Sequence, residues 1–202
     1  MNKNEKNSIG KYDSIARDYD STYEGKFTVK FKQKTLEMCD VSNGYRVLDV
    51  GCGNGSLISS IRQKGNIEAY GIDISPNMID ECRNRYDGIN FDVSSGEKLG
   101  FDDGYFDMVT ICCVLHHLND PKKFFAEARR VLKHNGVLIV SEPWQPFPAK
   151  QIVDYILSPL LRAGDNKLFS RKRLNRLFID CGFSITDQYE KEFMQIVKAK
   201  KR

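Results

Sequence analysis

Short apolar runs alternate with amphipathic helical stretches from about residue 45 to the end of the chain. Five of the runs have the length and composition of buried parallel strands: 47–50, 69–74, 89–93, 106–113 and 137–140. The fourth run is the most apolar and is therefore expected at the centre of a sheet. Apolar residues at helical spacing fill the segments between the runs. This alternation predicts an open, mostly parallel sheet with helices on both faces.

Serine and aspartate residues that can cap a helix mark where the predicted helices begin. The three clearest helix starts are at Ser75, Asp120 and Ser170. The helix after Asp120 is expected to keep Leu132 on its apolar face and to be closed by Gly136. Residues 183–200 predict two strands joined tightly near 190–192, an antiparallel hairpin at the sheet edge. The complete prediction is a doubly wound α/β fold with a mostly parallel seven-stranded sheet.

Two segments lie outside the alternation. Residues 8–39 are expected to form a helical lid, in which Tyr12, Ile15, Tyr19 and Tyr23 stand close to helical spacing. Residues 143–169 carry few charges for their length and are expected to form an insertion that serves as a binding pocket or a lid. Because ligands of such sheets bind beyond the carboxyl ends of the strands, both segments are predicted to cover that edge within a single domain, 1–202.

Composition and charge argue against several classes of protein. The chain has 202 residues, of which 41% are hydrophobic and 29% charged, the balance of a globular domain. No apolar run is long enough to span a bilayer. The net charge is only +4, with the excess in 171–176 and 198–202. We interpret these as a solvated helix face and a frayed end, so nucleic acid is not expected as a partner.

The six cysteines are scattered along the chain, without a CxxC pair. The first residues are polar and rich in lysine, unlike a secretory signal. We therefore expect reduced thiols, a cytoplasmic location and no metal site.

The most specific local pattern is a glycine-rich loop after the first strand, VLDVGCGNG at 47–55. Alternate glycines let a ligand lie against bare backbone, and the helix that comes next favours an anionic group. Asp73 ends the next strand, 22 residues after Gly51, where a carboxylate can bind both hydroxyls of a ribose. Ser56 stands where a dinucleotide loop has glycine or alanine. Together with Asp49, which would face an ammonium group, the loop therefore favours an adenosine-type cofactor with an amino-acid end.

Several segments resemble one family, the class I S-adenosylmethionine-dependent methyltransferases. The resemblance is carried by VLDVGCGNGSL, GIDIS, FDMVTICCVLHHLND and RVLKHNGVLIVSEP. The opening YDSIARDYD is similar to the small-molecule branch that includes the quinone-biosynthesis methyltransferases. The resemblance implies a Rossmann-like fold and S-adenosyl-L-methionine as the cofactor.

The same resemblance implies roles for individual residues around the cofactor. The loop residues would line its methionine half, a strand-end acid would bind its ribose, and later segments would contact its adenine and sulfonium. The implied cofactor-binding residues are Tyr12, Tyr19, Asp49, Gly51, Cys52, Gly53, Asp73, Ile74, Ser95, Gly96 and Cys112. The chain departs from the family at Ser95, where an acid usually contacts the adenine amino group.

Methyl transfer from a sulfonium is an in-line displacement that needs no general acid. A base is needed only when the acceptor carries a proton on the reacting atom. His116 and His117 come directly after the fourth strand, and His117 is the preferred candidate for a catalytic residue. Glu142 is a second polar group at the same edge. Cys112 and Cys113 lack the proline that would indicate a cysteine nucleophile and are interpreted as apolar fillers.

The leading hypothesis is methyl transfer to a small, partly apolar acceptor, with 143–169 beside the sulfonium. A methyltransferase that acts on RNA or protein, using the basic residues at 171–176, is a second hypothesis. A module that binds the cofactor without turnover is a third, and an NAD-linked oxidoreductase, against which Ser56 argues, is a fourth.

Overall fold

The computed structural model describes residues 3–144 and 168–202. Most of the predicted insertion at 143–169 therefore lies outside the described residues. The helices are α1 (Lys3–Ile15), α2 (Tyr23–Met38), α3 (Ser56–Arg62), α4 (Pro76–Arg85), α5 (Pro121–Val131) and α6 (Arg171–Asp180). The strands are β1 (Arg46–Val50), β2 (Glu68–Asp73), β3 (Asn90–Val93), β4 (Phe106–Cys112), β5 (Leu132–Pro143), β6 (Phe183–Lys191) and β7 (Met194–Lys201). Two 3₁₀ turns lie at Tyr19–Ser21 and Leu115–His117.

The seven strands form one sheet in the order β3-β2-β1-β4-β5-β7-β6. The first five strands pair in parallel, whereas β7 pairs antiparallel with both β5 and β6. The most apolar strand, β4, is the central one, as its composition predicts. The predicted doubly wound α/β fold with a C-terminal antiparallel hairpin is confirmed.

Apolar cores lie on both faces of this sheet. Leu48 packs with the buried side chains of α5 and α6 on one face, whereas its neighbour Val47 packs with those of α2, α3 and α4 on the other. Successive strand residues point to opposite faces, so a strand covered on both sides must be apolar at nearly every position. All three predicted helix caps accept a backbone N–H, at Ser75, Asp120 and Ser170.

The predicted end of the fifth helix is wrong. The helix stops at Val131, and Leu132 is already extended and paired with Phe106 in the sheet. The register shifts between Phe106 and Met108, and Asn135 adopts a positive φ of 61°. A bulged start of β5, rather than a helix C-terminus, therefore accounts for the polar residues before Gly136.

The N-terminal segment is helical, but it is three pieces rather than one continuous stripe. Thr22 is extended, and its hydroxyl accepts a hydrogen bond from Gly25 N at 3.0 Å, which starts α2. Tyr12, Ile15 and Tyr19 pack on Met78 of α4. Tyr23, which follows the break at Thr22, does not join them; it is 79% exposed and stacks on Phe27, with ring centroids 6.1 Å apart. We call α1, the Tyr19–Ser21 turn and α2 together the cover.

Candidate functional site

The glycine loop between β1 and α3 has the backbone geometry that its sequence requires. Gly51, Gly53 and Gly55 have φ angles of 68°, 52° and 73°, in the left-handed region that disfavours other residues. A Cβ on Gly51 would lie 2.5 Å from a methyl group of Val114, so the loop also packs tightly on the segment after β4. A Cβ on Gly53 would meet no atom within 4 Å. The backbone at Gly53 is therefore bare towards open space.

Asp49 lies in β1, two residues before Gly51, and is almost completely buried, with 2% exposure. The hydroxyl of Thr110, its neighbour on β4, donates a hydrogen bond to one carboxylate oxygen at 2.7 Å. Burial raises the pKa of Asp49 to about 7, although Thr110 and the ammonium group of Lys32 act in the opposite direction. The site therefore holds a carboxylate that a nearby cation would stabilise.

Asp73 ends β2 beside the loop, and its carboxylate is held by backbone groups. One oxygen accepts from Gly53 N and the other from Ser75 N, each at 2.9 Å. Burial raises the pKa of Asp73, and these backbone hydrogen bonds oppose the shift. The two bonds fix the carboxylate at the carboxyl edge of the sheet.

One cavity of about 670 Å³ lies over the carboxyl ends of the strands. Eleven of the twelve predicted site residues line it: Tyr12, Tyr19, Gly51, Cys52, Gly53, Asp73, Ile74, Ser95, Gly96, Cys112 and His117. Asp49, the twelfth, is buried and does not line the cavity. The volume is within the range of ligand pockets, which is roughly 300–1,000 Å³.

The cover closes one side of the cavity through contacts that the sequence did not predict. Lys32 on α2 donates to Asn54 Oδ1 at 2.8 Å and to Ser56 Oγ at 2.9 Å, and both of these residues belong to the loop or the start of α3. The Asn54 side chain also donates to Asp20, which in turn pairs with Arg85 of α4 at 3.0 Å. The cover and the glycine loop are thus one hydrogen-bonded network.

Three tyrosines of the cover line the cavity: Tyr12 and Tyr19, which were expected beside the cofactor, and Tyr23. Tyr19 is buried, which raises its pKa to about 12, so its hydroxyl stays neutral at ordinary pH. The Tyr12 hydroxyl lies 3.2 Å from Nε2 of His117. This contact joins α1 to the turn after β4 across 105 residues of sequence.

The Leu115–His117 turn presents both predicted histidines to the cavity. His116 is buried and its Nδ1 lies 2.7 Å from Glu142 Oε2, whereas His117 is half-buried and faces Tyr12. Their rings are 4.1 Å apart between centroids. Cys112 and Cys113 also line the cavity, and burial raises the pKa of the Cys113 thiol well above its usual range. All six cysteines are free thiols.

Sequence reasoning missed Lys32, Asn54, Asp20 and Val114. One feature of the sequence could have indicated Lys32. The other lysines of α2 are four residues apart and share one helix face, whereas Lys32 does not lie on that face. The residues that it contacts could not be read from the chain, since they are more than twenty positions away.

Comparison with known proteins supplies the identification. The methyltransferase domain family matches residues 48–140. The demethylmenaquinone methyltransferase of Beutenbergia cavernae is 30% identical over 173 residues, which cover 81% of this chain and 71% of that protein. The chain belongs to the class I S-adenosylmethionine-dependent methyltransferases. The protein is therefore an enzyme, and its methyl donor is S-adenosylmethionine.

Other relatives of this methyltransferase carry similar names, but the match covers a smaller share of their own length. The ubiquinone/menaquinone biosynthesis C-methyltransferase UbiE of Paraburkholderia phytofirmans is 32% identical over 157 residues, covering 72% of this chain and 64% of that protein. Some relatives are therefore spanned over less than two thirds of their own length.

A solved structure shows the same fold at low identity. A chain in the complex between the Haloferax volcanii Trm112 methyltransferase activator and a methyltransferase has a TM-score of 0.79 and 18% identity. The match covers 94% of this methyltransferase and 96% of that chain. At this identity the likeness concerns the fold alone.

Two further properties concern only the described parts of the methyltransferase. Within 3–144 and 168–202, His, Cys, Asp and Glu side chains form no group of three that could hold a metal ion. No helix in the same residues is long and apolar enough to cross a membrane.

Proposed function

We propose that this methyltransferase transfers the methyl group of S-adenosylmethionine to a small, partly apolar acceptor of the quinone type. The observation that carries the proposal is that one cavity joins the glycine loop and Asp73 to an apolar, histidine-bearing wall. A donor and an acceptor held in one cavity react faster, because orientation is provided in advance. The names of the relatives, demethylmenaquinone and ubiquinone/menaquinone methyltransferases, support the acceptor class.

The residues at the loop end of the cavity fit S-adenosylmethionine. The bare backbone at Gly53 and the N-terminus of α3 accept a close-lying anionic group, and Lys32 adds a positive charge. Asp49 supplies the negative charge for an ammonium group, directly or through water. The fixed carboxylate of Asp73 can accept hydrogen bonds from the ribose hydroxyls, with Ile74, Ser95 and Gly96 beside the adenine.

A second part of the cavity lining suits a ring-sized apolar group. It combines apolar side chains with the histidine turn: Phe27, Cys113, Val114, Leu118, Pro143, Leu168 and His117. This combination can hold an apolar ring while one polar edge meets an imidazole. An aromatic acceptor with a hydroxyl or an acidic C–H has that character.

Bound S-adenosylmethionine supplies a methyl group on a positively charged sulfur, which leaves as a neutral thioether in an in-line displacement. The chain's own contribution is position and proton transfer. His117 is the proposed base for the acceptor proton, and the Tyr12 hydroxyl at its Nε2 holds the ring and covers the site. Cys112 also lines the cavity.

Transfer of a labelled methyl group tests the proposed reaction directly. The protein would be incubated with methyl-labelled S-adenosylmethionine and, separately, with reduced demethylmenaquinone in detergent, total RNA, or a protein extract. Label in the quinone product supports the proposal, whereas label only in RNA or protein contradicts the acceptor class. Binding of S-adenosylmethionine without any transfer would indicate a module without turnover. Tighter binding of NAD than of S-adenosylhomocysteine would contradict the cofactor.

Replacement of Asp73 tests the assignment of the ribose site. Asp73→Ala should weaken S-adenosylhomocysteine binding, measured by calorimetry, by on the order of 1–3 kcal/mol, because charge-assisted hydrogen bonds are lost. Asp92→Ala on the neighbouring strand is the matched control, since that side chain is 79% exposed and pairs with Arg83 at the surface. Equal affinities for the two folded variants would contradict the assignment.

A further inference from the structure

Glu142 is a buried carboxylate at the carboxyl end of β5 with no exposed surface. One oxygen accepts a hydrogen bond from Leu115 N at 2.8 Å, and the other lies 2.7 Å from His116 Nδ1. A carboxylate loses much solvation on burial, and such a group is retained where its partners compensate that loss. Both compensating partners belong to the Leu115–His117 turn that lines the cavity.

The contact with Glu142 decides where His116 carries its hydrogen. A carboxylate only accepts hydrogen bonds, so the imidazole must donate from Nδ1. Glu142 therefore fixes both the protonated nitrogen and the plane of the His116 ring. A buried acid commonly sets the orientation of a histidine in this way.

Two physical links lead from Glu142 to His117. The bond to Leu115 N anchors the first residue of the turn, and the His116 ring packs on the His117 ring with centroids 4.1 Å apart and planes tilted by 40°. His117 in turn reaches the Tyr12 hydroxyl of the cover. The polar contacts thus run from the sheet, through both histidines, to α1.

We propose that Glu142 is a positioning residue, which acts through His116 and the Leu115 backbone to hold His117 at the acceptor end of the cavity. The proposal rests on the proposed function, in which His117 takes the acceptor proton. Glu142 itself has no exposed surface and is not a lining residue of the cavity, so it acts on His117 and not on the acceptor. Loss of this support should lower turnover more than it lowers cofactor binding.

The first test is the protonated nitrogen of His116, read from long-range ¹H–¹⁵N NMR spectra of the full chain. Only three histidines are present, and exposed His134 serves as an internal reference. The expected spectrum has hydrogen on Nδ1 of His116 in the unsubstituted protein. Hydrogen only on Nε2 would overturn the proposal. This measurement needs neither an acceptor nor a variant, so it is independent of whether the proposed reaction occurs.

The second test compares Glu142→Gln with Glu127→Gln. Glu127 is the matched control, because it also accepts a backbone N–H (Leu99 N, 2.8 Å) and contacts a basic side chain, Arg130, outside the cavity. In Glu142→Gln the amide can donate to His116 Nδ1, which should move the hydrogen to Nε2 and shift the His117 signals. In Glu127→Gln the signals of both histidines should stay unchanged.

Kinetics of methyl transfer then separate positioning from general destabilisation. With an acceptor that becomes labelled, Glu142→Gln should lower kcat about 10- to 100-fold while KM for S-adenosylmethionine stays within about twofold, and Glu127→Gln should keep its kcat. Equal kcat values for the two folded variants would overturn the proposal. If no acceptor is methylated at all, the proposed function fails, whereas the His116 and His117 spectra still decide whether Glu142 holds the pair.

Discussion

Burial of the Asp49 side chain costs the folded protein stability in a way that depends on pH. Burial raises the pKa of Asp49 to about 7 from an ordinary 3.8. The folded protein therefore binds a proton more tightly than the unfolded chain does. Its stability falls as the pH rises between those two values, and the whole cost is present above pH 7. A bound cation would offset that loss of stability. A ligand site is expected to be less stable when it is empty.

Asp49→Asn should therefore stabilise the protein without cofactor. At pH 8 the free energy of unfolding in urea is expected to rise by about 2–4 kcal/mol, and the gain should shrink as the pH is lowered towards 4. The same variant should lose affinity for S-adenosylhomocysteine, and in the unsubstituted protein that affinity should fall below pH 7. If the gain in the free energy of unfolding were independent of pH, or equal to that of Asp92→Asn, the ionised Asp49 carboxylate would not be what lowers the stability.

Gly51 combines a positive φ with a close neighbour, whereas Gly44 has a positive φ and open space. A Cβ on Gly51 would lie 2.5 Å from Val114, but a Cβ on Gly44 would meet nothing within 4 Å. Gly51→Ala should thus weaken cofactor binding at least tenfold, and Gly44→Ala should cost only about 1 kcal/mol of stability, from backbone strain. Calorimetry with S-adenosylhomocysteine and urea unfolding measure the two effects. Val114→Ala should restore part of the affinity in the Gly51→Ala background.

At the scale of elements, Lys32 joins the cover to the glycine loop. Its ammonium group contacts Asn54 and Ser56 and lies 5.5 Å from the centre of the Tyr19 ring. It also lowers the pKa of Asp49. The glycine loop, the cover and Asp49 therefore all interact with the ammonium group of Lys32.

Lys32→Met should lower affinity for S-adenosylhomocysteine about tenfold, or ~1.4 kcal/mol. Amide hydrogen exchange of the loop and the start of α3 should also become faster, because the network that holds them is broken. Lys34→Met is the control on the same helix, since Lys34 pairs with Glu37 at the surface. Similar behaviour of the two variants would mean that the charge contributes nothing at this position.

Element boundaries show where local patterns stop being informative. The helix starts at Ser75, Asp120 and Ser170 were predictable, because a cap is a contact within one turn. The start of β5 was not, because Leu132 is held in the strand by Phe106, which lies far from it in sequence. The break at Thr22, which separates Tyr23 from Tyr19, was missed although it is also a local cap, made by the Thr22 hydroxyl and Gly25 N.

At the scale of the whole molecule, α1 adds a wall to the cavity without belonging to either main core. Its residues Tyr12 and Ile15 pack in a small separate cluster with Met78, and Asp13 bonds to Ser75 and Asn77 at the start of α4. The helix can therefore be removed while both faces of the sheet stay covered.

Deletion of residues 1–17 should leave a protein that still unfolds cooperatively but binds S-adenosylhomocysteine at least tenfold more weakly. Circular dichroism and calorimetry measure the two properties. Lys6→Ala, at an exposed position of the same helix, should behave like the full chain. Full affinity in the deletion variant would show that α1 does not form part of the cofactor site.

The sequence by itself determined the features that depend on neighbouring residues: the strand–helix alternation, the turn at Gly51 to Gly55, and the acid that ends β2. Strand periodicity and glycine conformation act over a few residues, so they can be read along the chain. The tertiary structure alone decided that Asp49 loses its solvent, that Lys32 reaches Asn54, and that Glu142 reaches His116. Those relations depend on which strands become neighbours and on how the cover packs across them, because burial and charge pairing are properties of distance in space rather than of distance in sequence.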